Sequence, residues 1–200
     1  MFWDNVAWAY DLFAKGLNRT ANRRLCAAVA AQLRPGDRAL ECACGTGLLT
    51  EVLARHCESV VATDFSAKML RQTARKCRRF GNVQLAQADI LQLPYADESF
   101  DVVVAANVIH LLDEPRRALR ELDRVCRVGG RLIIPTYMNR TETGTNRVSD
   151  ALDRAGADFK RAFTPESYRA FFAEAGYTDA AYTLCEGRIP CAVAVLRKKK

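Results

Sequence analysis

The chain reads as an α/β protein: seven strands, five of them parallel, closed by a C-terminal antiparallel hairpin and covered by helices on both faces. Three observations predict this class. Short apolar runs alternate with segments of helical spacing from residue 20 to residue 137. After Tyr137 that rhythm breaks into the polar stretch "MNRTETGTNR". Near the end, "AAYTLC" and "CAVAVL" are separated only by "EGRIP", which predicts two antiparallel strands.

The elements follow in order. Leu25, Cys26, Val29 and Leu33 recur at helical spacing over 20–33, and Pro35-Gly36 closes that helix. "RALEC" is the first strand, and Leu48, Leu49, Val52 and Leu53 mark the helix after it. "SVVAT" is the second strand; Ser66 caps a helix whose buried stripe is Met69, Leu70, Thr73 and Cys77. "VQLAQ" and "FDVVVAA" are the third and fourth strands. Pro115 opens a helix with Ala118, Leu119, Leu122, Val125 and Cys126 inward, and Gly129-Gly130 ends it. "RLIIPTY" is the fifth strand, and a short helical stretch is expected near 148–156. Thr164-Pro165-Glu166 starts the last helix, with Tyr168, Phe171 and Phe172 inward and Gly176 as its stop.

Composition excludes several classes. With 200 residues, half of them hydrophobic and 26% charged, the chain has the make-up of one globular domain. Its longest apolar stretches are far too short to span a bilayer, and "MFWDNVAWAYD" has no basic lead and no apolar signal core. A cytoplasmic location is expected. The eight cysteines fall mostly on apolar stripes without a Cys-x-x-Cys pair, and there are two histidines, His56 and His110. This predicts reduced, buried thiols and no metal site. The net charge of +7 gathers at Arg71–Arg79, Arg116–Arg131 and the tail. These clusters could follow nucleic acid or an anionic surface, but each internal one rides on a helix with an apolar opposite face, so solvated faces are expected.

The segment "ECACGTGLLT" is the first sign of a ligand. Small residues at Ala43, Gly45 and Gly47 occupy a strand-to-helix turn, which lets a ligand approach the backbone. A phosphate-binding loop requires Gly-Lys-Ser/Thr at the helix start, and Gly47-Leu48-Leu49 is not that. A dinucleotide loop requires Gly-x-Gly-x-x-Gly, and the slot three after Gly45 is Leu48. Glu41, Asp64 and Asp89 end the first three strands. Three carboxylates on that edge would repel a diphosphate and suit a ligand with hydroxyls, amines and positive charge. S-adenosylmethionine has these groups and no phosphate.

"LECACGTG", "VVATDFS", "AQADILQLPYADESFDVVVAANVIHLL" and "LDRVCRVGGRLII", taken as an ordered series, resemble the motifs of class I S-adenosylmethionine-dependent methyltransferases. The similarity is greatest to the branch of the ubiquinone/menaquinone biosynthesis methyltransferases and covers residues 35–137; the opening "WDNVAWAYDLF" is similar to the family's N-terminal segment. The resemblance implies a Rossmann-like single domain: a helical cap over 1–34, a cofactor-binding core over 35–136, a variable acceptor-side insertion over 137–163, and the terminal helix and hairpin over 164–200. It implies S-adenosylmethionine as cofactor, S-adenosylhomocysteine as product and a small-molecule methyl acceptor. Glu41, Ala43, Cys44, Gly45 and Gly47 would line the methionine and ribose, Asp64 would hold the ribose, and Phe65 and Met69 would flank the adenine. Asp89 and Ile90 would frame the adenine edge, Asn107 would sit near the methionine amine, and Tyr10 would cover the cofactor. Ala43 stands where the family has its first glycine, and a small displacement of the methionine is expected from it. Asp64→Ala is expected to remove cofactor affinity and leave the fold intact.

Methyl transfer asks mainly for alignment of nucleophile, methyl and sulfur, with a base only where a proton must leave at the same time. His110 is the histidine expected to face the acceptor as a base, with a packed or capping histidine as the other reading; Tyr137 is a second candidate at the pocket edge. Nucleic acid is not the expected partner, because the Asn/Asp-Pro-Pro-Tyr/Phe motif of nucleobase amino-methyltransferases is replaced by "AANVIH" and Pro190-Cys191 opens the terminal strand, away from the site. An RNA or protein acceptor, and a non-catalytic S-adenosylmethionine-binding protein, stay open on sequence alone. So does the choice between monomer and homodimer.

Overall fold

The computed structural model describes residues 18–138 and 160–199. Seven strands form one sheet in the order β3-β2-β1-β4-β5-β7-β6. The strands are β1 (Arg38–Cys42), β2 (Ser59–Asp64), β3 (Val83–Gln87), β4 (Phe100–Ala105), β5 (Cys126–Tyr137), β6 (Ala181–Cys185) and β7 (Cys191–Arg197). β1 to β5 pair in parallel, and β7 runs antiparallel between β5 and β6. The hairpin predicted from "EGRIP" therefore inserts its second strand next to β5 and leaves its first at the sheet edge.

Among the described residues five helices cover the sheet: α1 (Arg19–Ala30), α2 (Thr50–His56), α3 (Ala67–Cys77), α4 (Pro115–Val125) and α5 (Pro165–Glu174), with a 3₁₀ turn at Ile109–Leu111. Each central strand sends alternate residues to two separate cores. Leu40, Val103, Leu132 and Ile134 meet α4 and α5, whereas Ala39, Val102, Val104 and Ile133 meet α1 and α2. Burial on both faces is why "VVVA" and "LII" are continuous apolar runs rather than alternating ones.

The predicted caps form. The Ser66 side chain accepts the Met69 N–H at 3.2 Å. Thr164 and Ser167 make a reciprocal capping box at the start of α5, each hydroxyl taking the other's backbone N–H. Asn18 fastens α1 to the terminal hairpin, its amide donating to the Ile189 carbonyl at 3.0 Å while its oxygen accepts the Ile189 N–H at 3.1 Å.

Three expectations change. Gly129-Gly130 does not end α4, which stops at Val125; the pair lies within β5, where Gly129 takes φ +75° and a Cβ on Gly130 would stand 2.7 Å from the Arg127 carbonyl. The glycines let the chain fold back tightly into the sheet. Leu48 precedes α2 and is exposed, so it is not part of that helix's buried stripe. Arg131 is no solvated face: it is 5% exposed, and its guanidinium donates to the Asp37 carboxylate and to the Gln32 carbonyl, both at 2.5 Å. The stretch 148–156 lies outside the described residues. No helix among the described residues is long and apolar enough to cross a membrane.

Candidate active site

β1 has β2 on one side and β4 on the other, so the chain leaves it in opposite directions and a crevice opens at the carboxyl ends of the strands. A cavity of about 850 Å³ occupies that crevice. Its floor is the turn after β1, whose residues alternate into the left-handed region: Ala43 at φ 54°, Gly45 at 56° and Gly47 at 81°. Asn107, after β4, is also left-handed at φ 52°. There its amide oxygen accepts the Tyr137 N–H at 3.0 Å and its own N–H donates to the Pro135 carbonyl at 2.8 Å, tying the end of β4 to the end of β5.

Eleven of the residues singled out in the sequence wall this one cavity. Glu41, Ala43, Cys44 and Gly45 come from the turn after β1, and Asp64, Phe65 and Met69 from the end of β2 and the start of α3. Asp89 and Ile90 follow β3, Asn107 follows β4 and Tyr137 ends β5. Phe65 is half exposed and stands at the rim. Tyr10 lies outside the described residues.

Two residues are not brought to the cavity. Gly47 is buried beneath it, and a Cβ there would lie 3.0 Å from Thr73 Cγ2, so its smallness serves the packing of the turn on α3. His110 turns inward on the 3₁₀ turn and is 5% exposed; burial lowers its pKa to about 4 and keeps the imidazole neutral. A neutral, buried imidazole outside the cavity wall fits the packed reading of the sequence.

The acids differ in their surroundings. Asp64 accepts the Gly45 N–H with one oxygen and the Ser66 N–H with the other, both at 2.8 Å. A carboxylate only accepts hydrogen bonds, which suits it to donors such as ribose hydroxyls. Glu41 is 2% exposed and accepts the Thr50 hydroxyl at 2.5 Å; burial pushes its carboxyl up to about 8. Asp89 is exposed and accepts the Leu91 N–H at 2.8 Å. Burial raises the thiols of Cys44 and Cys191 and lifts Cys42 to about 12, so none of them is a thiolate nucleophile at neutral pH.

Sequence reasoning missed the contribution of α1. Arg19, Asn22 and Arg23 reach the cavity from the helix that precedes β1, and Lys76 reaches it from α3. Their signal was available, since Arg19, Asn22 and Arg23 stand at i, i+3 and i+4 on one helix face. Val108, Leu111 and Leu112 make the stretch of wall after Asn107 apolar. Among the described residues no cluster of histidine, cysteine and carboxylate side chains could hold a metal ion.

Residues 40–134 match the model of the family described as "Methyltransferase domain". A phosphatidylethanolamine N-methyltransferase of Cereibacter sphaeroides is 35% identical over 74% of this chain and 72% of its own. A demethylmenaquinone methyltransferase of Paenarthrobacter aurescens is 32% identical over 98% of this chain and 84% of its own. With other demethylmenaquinone methyltransferases the chain matches about half of their length, 54% and 44% in two cases. Among solved structures, an S-adenosylmethionine-dependent methyltransferase of Aquifex aeolicus superposes with a TM-score of 0.64 at 19% identity, over 86% of this chain and 89% of that one.

The family match and these relatives, on this seven-stranded sheet, make the chain an S-adenosylmethionine-dependent methyltransferase. The chain belongs to the class I family of these enzymes, in the ubiquinone/menaquinone-like branch. Its cofactor is S-adenosylmethionine.

Proposed function

We propose that the chain transfers a methyl group to a small, largely apolar acceptor held against Val108, Leu111, Leu112 and Tyr137. The observation that carries this reading is the division of the cavity. The β1–β3 side is lined with carboxylates and left-handed backbone, while the wall beyond Asn107 is hydrophobic with one phenol. Bound S-adenosylmethionine supplies an electrophilic methyl on a sulfonium.

The residues present fit that group. Asp64 offers carboxylate oxygens to the ribose hydroxyls, and Glu41 offers a buried carboxyl toward the methionine. Phe65, Met69, Asp89 and Ile90 frame the adenine, with Ala43, Cys44 and Gly45 along the methionine backbone. Asn107 orients the amine end, and Arg19 and Arg23 offer cations to the carboxylate. Tyr137 positions the nucleophile. His110 is outside the cavity wall, and burial lowers its pKa to about 4, so it would be a weak base for an acceptor there.

The relatives' names supply the first acceptors to try, a phosphatidylethanolamine and a demethylmenaquinone, each joining a large apolar part to a compact reacting group. Purified protein would be incubated with S-adenosylmethionine and each acceptor, and S-adenosylhomocysteine and methylated product followed by mass spectrometry. Acceptor-dependent formation of both is the expected result. Turnover only with hydrophilic acceptors would overturn the apolar assignment.

A further inference from the structure

The turn after β1 holds a conformation that one of its residues resists. Ala43, Gly45 and Gly47 all have positive φ, and of the three only Ala43 carries a Cβ. An L-residue is penalised in that region by the approach of its Cβ to the following carbonyl. Something outside the turn must hold it there.

The holding group stands on α3. The Thr73 hydroxyl, fully buried, donates to the Gly45 carbonyl at 2.8 Å. The Gly45 N–H goes to Asp64, also at 2.8 Å, so both backbone polar groups of Gly45 are taken by side chains from outside the turn. The same threonine packs on Gly47, where an added Cβ would lie 3.0 Å from Thr73 Cγ2 and 3.1 Å from its Oγ1. The Cys44 thiol lies 3.9 Å from that hydroxyl. One turn earlier on α3, Met69 lines the cavity, so the helix touches the ligand space and braces the turn at once.

We propose that Thr73 is a positioning residue for the cofactor: its hydroxyl holds the Ala43–Gly47 turn in the left-handed shape that the cofactor binds, against the conformational resistance of Ala43. This rests on the reading of the turn as the bed of the methionine and ribose. If the turn leaves that shape, the binding-competent fraction drops and apparent affinity drops in proportion.

The test is calorimetric titration with S-adenosylhomocysteine, alongside melting temperatures, for the wild type, Thr73→Val, Thr73→Ser, Ala43→Gly and the double variant Ala43→Gly with Thr73→Val. Thr73→Val keeps the shape and removes the donor, and is expected to weaken binding about 5- to 30-fold. Thr73→Ser restores the donor and should stay within about 3-fold of wild type. With glycine at 43 the turn no longer resists, so Thr73→Val in that background should cost less than about 3-fold. Thr73→Ala is the second variant should Thr73→Val not fold, and it must weaken binding at least as much. A lowered melting temperature with unchanged affinity would make Thr73 a packing residue only and overturn the proposal, as would an undiminished penalty in the Ala43→Gly background. A wild-type protein that fails to bind S-adenosylhomocysteine would instead overturn the reading of the turn itself.

Discussion

The carboxylate of Asp64 reaches back 19 residues to accept the backbone N–H of Gly45 at 2.8 Å. Its other oxygen accepts the Ser66 N–H, so one side chain fixes the floor of the cavity and the entry to α3 together. Asp64→Ala is therefore expected to weaken the fold as well as the site, where sequence alone predicts an effect on the cofactor only. Hydrogen bonds to a charged group are worth about 1.5–3 kcal/mol each, so a loss of about 2–4 kcal/mol is expected, with a melting temperature lower by roughly 5–15 °C. Affinity for S-adenosylhomocysteine should fall by about 100-fold or more. Asp64→Asn keeps one acceptor oxygen and should fall between. Differential scanning fluorimetry and calorimetric titration on the three proteins check both effects.

Glu41 predicts a pH dependence of stability. Burial raises its folded pKa to about 8 from an ordinary 4.5, with the Thr50 hydroxyl pulling the other way. Within that interval the folded protein holds a proton that the unfolded chain has released, so stability decreases as pH rises and levels off above about 8. Glu41→Gln has no such charge to bury. Its melting temperature, relative to wild type, should climb between about pH 5 and pH 8, by up to about 1.4 kcal/mol of stability per unit. A difference that stays constant across the interval would mean that the carboxyl is already ionised.

Glycines of the chain should respond to alanine in a graded way. Gly47→Ala meets both a left-handed backbone and the body of Thr73, and is expected to cost about 2–4 kcal/mol. Gly45→Ala meets the backbone penalty in open space, about 1–2 kcal/mol. Gly36→Ala has no positive φ and nothing within 4 Å, and should be neutral to within about 0.5 kcal/mol. Urea titrations of the three variants would test the order.

His110 should leave no trace in the pH–rate profile. With burial holding its pKa at about 4, the imidazole is neutral throughout the physiological range. The profiles of wild type and His110→Gln are expected to run parallel between about pH 5.5 and pH 8. An acidic limb near pH 6.5, present in the wild type and missing in the variant, would return His110 to the role of base.

Much of this site could be read in the sequence because its parts are strand ends. Glu41, Asp64 and Asp89 each follow a short apolar run, and parallel strands of one sheet deliver their carboxyl ends to the same edge, so spacing alone brings the acids together. The alternating small residues 43, 45 and 47 showed the turn in the same way. His110 stayed open between two readings in the sequence because three residues of 3₁₀ helix rotate a side chain by an amount that no periodicity reveals. Arg131 looked like part of a basic surface because its partner, Asp37, lies 94 residues away and the pair exists only once β5 is in the sheet.

By itself the sequence determined the order of the elements, the terminal hairpin, the caps at Ser66 and Thr164 and the acids of the cavity, since each depends on local spacing or on the end of a strand. Tertiary structure alone decided which groups hold the turn after β1. Thr73 and Asp64 act on Gly45 from 28 and 19 residues away. The same holds for the arrival of α1 at the cavity and the withdrawal of His110 from it. These are side-chain contacts between elements far apart in the chain, and their geometry is set by how α1 and α3 pack on the sheet.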